Sequence, residues 1–181
     1  TKNQERFVQE LVQELESNVR LTLGPTHSNK RMTKTVYEKK AGKVTITDQT
    51  DIKELVELAL YLRAKNPLSE FTPGEDAFEA LEQDYNYQPN ISHRSSQSII
   101  YQQYSTPLPI GYAMGYWCGM HENTGKIVVE PSAGNALLLV ANHGNAIYAN
   151  EIDLQRYKNL QYLMSKDPSF GIITKLDASE Y

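Results

Sequence analysis

The sequence has a single cysteine, Cys118, among its 181 residues. One cysteine excludes an internal disulfide and is typical of a reducing compartment, so we expect a cytoplasmic protein. No apolar stretch approaches the roughly 20 residues that span a bilayer, and the first residues do not read as a signal peptide. His121 and His143 have no cysteine or second histidine at ligand spacing, and we therefore expect no metal site.

Glycine-rich phosphate loops are also absent. No Gly-x-Gly-x-x-Gly follows a predicted strand and no Walker lysine occurs, which leaves nothing to cradle a pyrophosphate. Positive charge is not in excess either, because the formal net charge is −4. A local basic stretch could contact phosphates, although a solvated surface is the more ordinary interpretation. It comprises Lys30, Arg31, Lys34, Lys39, Lys40 and Lys43, opposed by Glu38.

A β-branched run, residues 127–129, is followed by Glu130-Pro131-Ser132-Ala133-Gly134. This pattern predicts a buried parallel strand and a sharp turn at its carboxyl end, where open α/β sheets bind their ligands. Gly134 lets a ligand approach the backbone closely, since it has no Cβ. We expect a helix over residues 135–143, with its positive dipole end toward the site. We also expect a second strand that ends at Glu151, whose carboxylate can accept both hydroxyls of a ribose.

The segment Glu130 to Gly134 resembles the cofactor motif Glu-Pro-Ser/Ala-Ala/Cys-Gly of the methyltransferases that modify the exocyclic amino group of adenine in DNA. Upstream, Tyr104-Ser105-Thr106-Pro107 is similar to the aromatic-Thr-Pro segment of that family, which precedes the cofactor strand and closes over the methionine end. Downstream, Asp177-Ala178 follows a third predicted strand and resembles the family's Asp-Ala, whose aspartate usually faces the adenine amino group. The resemblance covers residues 102–181.

This resemblance implies S-adenosylmethionine as the cofactor and double-stranded DNA as the partner, contacted mostly through regions outside this chain. It implies a bacterial or mobile-element enzyme of the restriction-modification kind. The residues that it assigns to cofactor binding are Tyr104, Ser105, Thr106, Pro107, Glu130, Pro131, Ser132, Ala133, Gly134, Asn135, Glu151, Ile152, Asp177 and Ala178.

The chain departs from the family at two places. Asn135 and Ala136 stand where the family often has a second glycine. The catalytic tetrapeptide Asn/Asp-Pro-Pro-aromatic does not occur before Tyr181, so we predict no catalytic residue and an inactive fragment.

Several alternatives remain open from the sequence. Glu130 could contact the cofactor or bind amides of its own turn, and Asp177 could contact adenine or cap a turn. Tyr104 could pack on the cofactor or in a core. The whole chain could instead be a non-catalytic interaction module with a methyltransferase-like fold, or part of an RNA or protein methyltransferase. The oligomeric state is not indicated.

Residues 1–90 show helical periodicity, so we predict an α/β protein in which a mainly helical unit precedes an incomplete Rossmann-like domain. Apolar residues recur at helical spacing from Phe7 to Leu15 and from Ile52 to Leu62, where Asp51 is the expected cap. A further helix is expected at residues 75–84, and the alternation at residues 44–47 predicts a short strand. The polar, turn-rich residues 86–98 predict a connector, placed at 91–101, which leads into residues 102–181.

The aromatic-Thr-Pro segment predicts how the next helix begins. Thr106 would cap a helix whose first residue is Pro107 and which runs toward Cys118. Tyr116 and Trp117 would then pack that helix against the sheet.

Overall fold

The computed structural model describes residues 1–18, 34–68, 72–87 and 104–180, and the chain divides into two compact units, Thr1–Tyr104 and Ser105–Tyr181. The first unit is helical, as the periodicity predicts. Its helices are α1 (Lys2–Asn18), α2 (Lys34–Lys43), α3 (Gln49–Leu68) and α4 (Glu75–Tyr87). The predicted connector at 91–101 lies outside the described residues, as do Lys30 and Arg31 of the basic stretch.

The core of the first unit lies between α1 and α3. From α1 it takes Phe7, Leu11 and Leu15, which are fully buried, and from α3 it takes Leu55 and the residues around it. Each such side chain contributes roughly 1.5–3 kcal/mol when it leaves water. The three- and four-residue spacing in the sequence therefore identified the face of α1 on which the unit is built.

The predicted strand at 44–47 is wrong, because these residues form the turn that follows the last residue of α2. The amide of Ile46 donates to the Ala41 carbonyl at 3.0 Å and that of Thr45 to the Gly42 carbonyl at 3.2 Å, while Thr45 has φ +61°. This is the Schellman arrangement that ends many helices. Val44 and Ile46 are buried and Thr45 is exposed, so the alternation in the sequence reflects burial and not a strand.

Asp51 is not the cap of α3, which begins two residues earlier. The carboxylate of Asp48 accepts from the amides of Thr50, at 2.7 Å, and Asp51, at 3.1 Å. A later helix, α4, extends the predicted 75–84 by one turn. It is linked to α3 by the buried pair of Arg63 and Asp84, whose charged atoms lie 3.9 Å apart.

The second unit contains a three-stranded parallel sheet with helices packed beside it, which confirms the α/β prediction at this level. Its elements are α5 (Leu108–Trp117), β1 (Ile127–Glu130), a 3₁₀ turn (Leu137–Leu139), β2 (Ala146–Asn150), α6 (Leu154–Met164), β3 (Phe170–Thr174) and a second 3₁₀ turn (Ala178–Glu180). The strand order is β1-β2-β3, so β2 lies between the other two. The carboxyl ends of all three strands therefore meet at one edge of the sheet.

The helix predicted at 135–143 is wrong, since the described structure has only the 3₁₀ turn Leu137–Leu139 there. Ala136 has φ +66°, which interrupts a right-handed helix before it starts. Helix α5 also passes very close to this backbone, because a Cβ at Gly111 would lie 2.2 Å from the Leu137 carbonyl oxygen. Without a helix, residues 135–143 supply no dipole end that faces a ligand.

The start of α5 also differs from the prediction. Pro107 occupies the N-cap position, and no side chain caps the helix, so Thr106 does not cap it. The helix ends before Cys118, as expected. Trp117 is 83% exposed and does not pack against the sheet, while Tyr116 stacks on His121 with 4.1 Å between the ring centroids.

Among the described ranges, no helix combines the length and the apolar character that crossing a membrane requires.

Candidate functional site

The loop that follows β1 lies at the carboxyl edge of the sheet, where the sequence predicts the site. Ser132 and Pro131 are exposed, whereas Ala133 is buried. Gly134 has φ +54°, a left-handed conformation that other residues rarely adopt. The nearest atom to a Cβ at this position would be Nη1 of Arg156, at 3.9 Å. The glycine therefore gives this turn its conformation and keeps its surface open beside a guanidinium group.

The loop is attached to the end of the neighbouring strand β2 by two backbone amides. The Ala133 amide donates to the Asn150 carbonyl at 2.9 Å, and the Gly134 amide donates to Oε2 of Glu151 at 2.8 Å. Hydrogen bonds to a charged acceptor contribute roughly 1.5–3 kcal/mol each. Glu151 follows the last residue of β2 directly, so the two residues that the sequence analysis paired for ligand binding are in contact.

The carboxylate of Glu151 is oriented by a second backbone amide. Its Oε1 accepts from the Asp153 amide at 2.8 Å, and the residue is only 5% exposed. A carboxylate has about four acceptor positions, and these two bonds use one on each oxygen. A second position on each oxygen can therefore accept a hydroxyl group, which is the chemistry needed to bind the two hydroxyls of a ribose.

Glu130 binds within its own turn. Its Oε1 accepts from the Ser132 amide at 3.1 Å. Of the two roles considered for this side chain, the structure therefore shows the binding of an amide in its own turn.

Asn135 is directed at α6 and not at the open side of the loop. Its Oδ1 accepts from Nδ2 of Asn159 at 2.7 Å, and Asn159 in turn accepts from Gln155 at 2.9 Å. Asn135 is almost completely buried. The residue that stands where the family often has a second glycine is therefore held under the loop, and its side chain does not narrow the approach to Gly134.

Arg156 brings the segment before α5 close to this loop. Its Nη2 lies 3.5 Å from Oγ of Ser105, and its Nη1 is the group closest to the position of a Cβ on Gly134. Arg156 is buried and lies in the first turn of α6, which Asp153 caps. Ser105 and Gly134 were both predicted to contact the cofactor, and this guanidinium group is bonded to the first and lies beside the second. Tyr104, at the end of the first unit, is exposed, as is Pro107, whereas Thr106 is partly buried.

Asp177 follows β3 and caps the short 3₁₀ turn after it. Its Oδ1 accepts from the amide of Ser179 at 2.9 Å and from its hydroxyl at 2.7 Å. The backbone amide, together with the hydroxyl group, holds the pKa of Asp177 below its usual value. The side chain is thus an exposed anion at the same edge of the sheet as Glu130 and Glu151. Ala178 and Ile152 are also exposed there.

Sequence reasoning missed two buried residues of this edge, Asn150 and Arg156. Asn150 makes four side-chain hydrogen bonds, three to the loops after β1 and β3 and one to Thr174 at the end of β3. An asparagine at the predicted end of a strand, next to the expected ligand-binding carboxylate, was a usable signal for it. Arg156 carried no such signal, since an arginine in a helix is usually exposed.

The described residues contain no group of three histidine, cysteine, aspartate or glutamate side chains placed to hold a metal ion. Comparisons of the chain with protein-family models, with curated proteins and with solved structures find no match.

Proposed function

We propose that the second unit binds S-adenosylmethionine and belongs to an enzyme that methylates the exocyclic amino group of adenine in DNA. The observation that carries the proposal is the contact between Gly134, in the turn after β1, and Glu151, after β2. In this arrangement a left-handed glycine and a preorganised carboxylate occupy adjacent loops at the carboxyl edge of a parallel sheet.

The residues of this edge fit the cofactor in chemical terms. Glu151 supplies acceptors for the ribose hydroxyls, and the open surface of Gly134 allows close approach of the backbone. Arg156 and Ser105, beside Gly134, are suited to the charged amino-acid portion of the cofactor. When bound, the cofactor supplies a methyl group on a sulfonium centre.

The described residues would bind and orient the cofactor. No side chain among them is assigned to binding the methyl acceptor. This sequence does not contain the tetrapeptide Asn/Asp-Pro-Pro-aromatic, with which the adenine methyltransferases hold the acceptor base. Positioning the reactants is itself a large part of such catalysis. Double-stranded DNA is the proposed substrate, and its sequence preference is not part of the proposal.

The test is calorimetric titration of the chain with S-adenosylmethionine and S-adenosylhomocysteine. The informative variant is Glu151→Gln, which keeps the size of the side chain and removes its charge. We expect saturable binding that this variant weakens about tenfold or more, or about 1.4 kcal/mol. The matched control is Glu122→Gln, an exposed glutamate before β1 in the same unit, and it should bind like the original chain.

Absence of binding by a chain with intact circular dichroism would overturn the proposal, and so would binding that Glu151→Gln leaves unchanged. The first outcome would favour the second candidate function, an interaction module. The observation behind this candidate is an apolar face on α5, where Ile110, Met114 and Trp117 are exposed at spacings of four and three residues.

A further inference from the structure

Asn150 occupies the last position of the middle strand and uses its whole side-chain amide. Nδ2 donates to the carbonyl oxygens of Pro131, at 3.0 Å, and Leu176, at 2.9 Å. Oδ1 accepts from the Thr174 hydroxyl at 2.8 Å and from the Leu176 amide at 3.0 Å. Two donors and two acceptor positions are all that this group has, so it is saturated, and at 2% exposure it is shielded from water.

Three of these bonds reach the loops that follow β1 and β3, and the fourth comes from Thr174, the last residue of β3. Pro131 lies in the loop after β1, between Glu130 and Gly134, while Leu176 directly precedes Asp177 in the loop after β3. The backbone of the two loops is thus held on either side of β2 by a single side chain. Both carbonyl oxygens bond to the same nitrogen atom, which limits how far apart the two loops can lie at the carboxyl edge.

We propose that Asn150 is a positioning residue of the cofactor site, which fixes the distance between the loop of Gly134 and the loop of Asp177. The inference rests on the proposed function, since a ligand whose ribose is held by Glu151 has its nucleoside between these two loops. Asn150 itself is buried beneath them and does not touch the ligand. Its effect on affinity is indirect, through the Pro131 and Leu176 backbone.

The same strand offers a matched control at its other end. Asn145 immediately precedes β2 and is fully buried. Its Oδ1 accepts from the amides of Thr124 and Lys126, and its Nδ2 donates to the carbonyl groups of Met120 and Glu122. Asn145 therefore makes as many bonds as Asn150, to backbone groups at the amino edge, away from the proposed site.

The experiment compares Asn150→Asp with Asn145→Asp. In each variant both donors are lost and a carboxylate oxygen is placed against two carbonyl oxygens, so both should lower stability to urea by a similar amount. Affinity for S-adenosylhomocysteine is then measured by calorimetry at a temperature where circular dichroism shows each variant folded. We expect Asn150→Asp to raise the Kd about tenfold or more and Asn145→Asp to leave it within about twofold of the original.

A purely structural role for Asn150 would lower stability without changing the Kd of the folded chain, and this result would overturn the proposal. If Asn150→Asp does not fold, Thr174→Val decides, because it removes one of the two donors that orient the Asn150 amide toward Pro131 and Leu176 and keeps the size of the side chain. This variant should raise the Kd at least about threefold, and an unchanged Kd would overturn the proposal. Failure of the proposed function is distinguishable, since the original chain would then not bind the ligand at all.

Discussion

At the scale of the residue, the second unit buries several polar side chains beside its apolar ones. Asn135, Asn145, Asn150 and Asn159 are all buried, and each makes hydrogen bonds that fix a loop or a helix to its neighbour. An unsatisfied buried polar group costs roughly 1–3 kcal/mol, so such positions tolerate few substitutions. The sequence shows where asparagines are, but not which of them are buried.

Asp84, in the first unit, should give the protein a measurable pH dependence. Burial raises the pKa of Asp84 from 3.8 to about 6, and Arg63 offsets this only in part. The folded state therefore takes up a proton more readily than the unfolded state, and the ionised side chain lowers stability above the folded pKa. As the pH falls from about 6 toward 3.8, the pKa of the unfolded state, this cost disappears and the free energy of unfolding rises by about 3 kcal/mol in all.

The measurement is urea denaturation of the chain and of Asp84→Asn between about pH 7 and pH 4. As the pH falls, the original chain should gain stability relative to Asp84→Asn, so the difference between their free energies of unfolding should increase. Glu82→Gln, an exposed carboxylate on the same helix, gives the background. A difference between chain and variant that does not change with pH would contradict the prediction.

Gly111 is required by the close approach of α5 to the Leu137 carbonyl. In Gly111→Ala the new Cβ would lie 2.2 Å from that oxygen, which is a backbone atom and cannot rotate away. We expect a loss of about 1–3 kcal/mol, seen as a lower urea midpoint by circular dichroism. Gly42→Ala, with nothing near the new methyl group, should instead be neutral or stabilising by about 0.5–1 kcal/mol.

At the scale of the element, the differences between sequence and structure are mostly at helix ends. The interior of α1 was predicted from spacing alone, whereas the cap of α3 was misplaced by three residues and that of α5 by one. Several polar residues near a helix start can each act as the cap, and tertiary packing selects one of them. Asp153, at the start of α6, is a cap that the sequence analysis did not identify.

Asp153→Ala should destabilise the second unit by about 1 kcal/mol, because the carboxylate accepts from the amides of Gln155 and Arg156. Asp153→Asn is the matched control, since asparagine caps helices about as well as aspartate. Chemical denaturation followed by circular dichroism measures both. Equal stability of the alanine and asparagine variants would show that the cap contributes little here.

At the scale of the whole molecule, the parallel sheet of the second unit presents apolar side chains on both faces. Ile147, Ala149 and Phe170 are buried on one face, while Val129 and Ile172 are 63% and 48% exposed on the other. Both residues flank Tyr148 in the sheet register, so the exposed side chains form a continuous row. Parallel sheets are usually covered on both faces, and an exposed apolar row favours association.

We therefore expect concentration-dependent self-association that Val129→Thr reduces. Threonine keeps the β-branched shape suited to a strand and replaces one methyl group with a hydroxyl. Sedimentation velocity over a range of concentrations measures the effect. Leu154→Thr, which removes an exposed apolar side chain from α6, is the control and should leave the association unchanged.

The sequence by itself determined the interiors of the elements. Periodicity of apolar residues specified α1 and the core-facing part of α3, and the β-branched run specified β1, because these patterns follow from the repeat of a helix or strand. The predicted burial of β1 is wrong, since Ile127 and Val129 are exposed. It also placed Gly134 and Glu151 at the ends of adjacent strands. That was sufficient to predict the edge of the sheet at which they meet.

Only the tertiary structure decided what those residues contact. The apolar residues 135–143 suit a helix by composition, but the close passage of α5 and the left-handed Ala136 leave a single 3₁₀ turn. Asn150 became a bridge between two loops because parallel pairing set β2 between β1 and β3. Such contacts join residues up to 26 positions apart, and no local pattern specifies which distant backbone groups a polar side chain will reach.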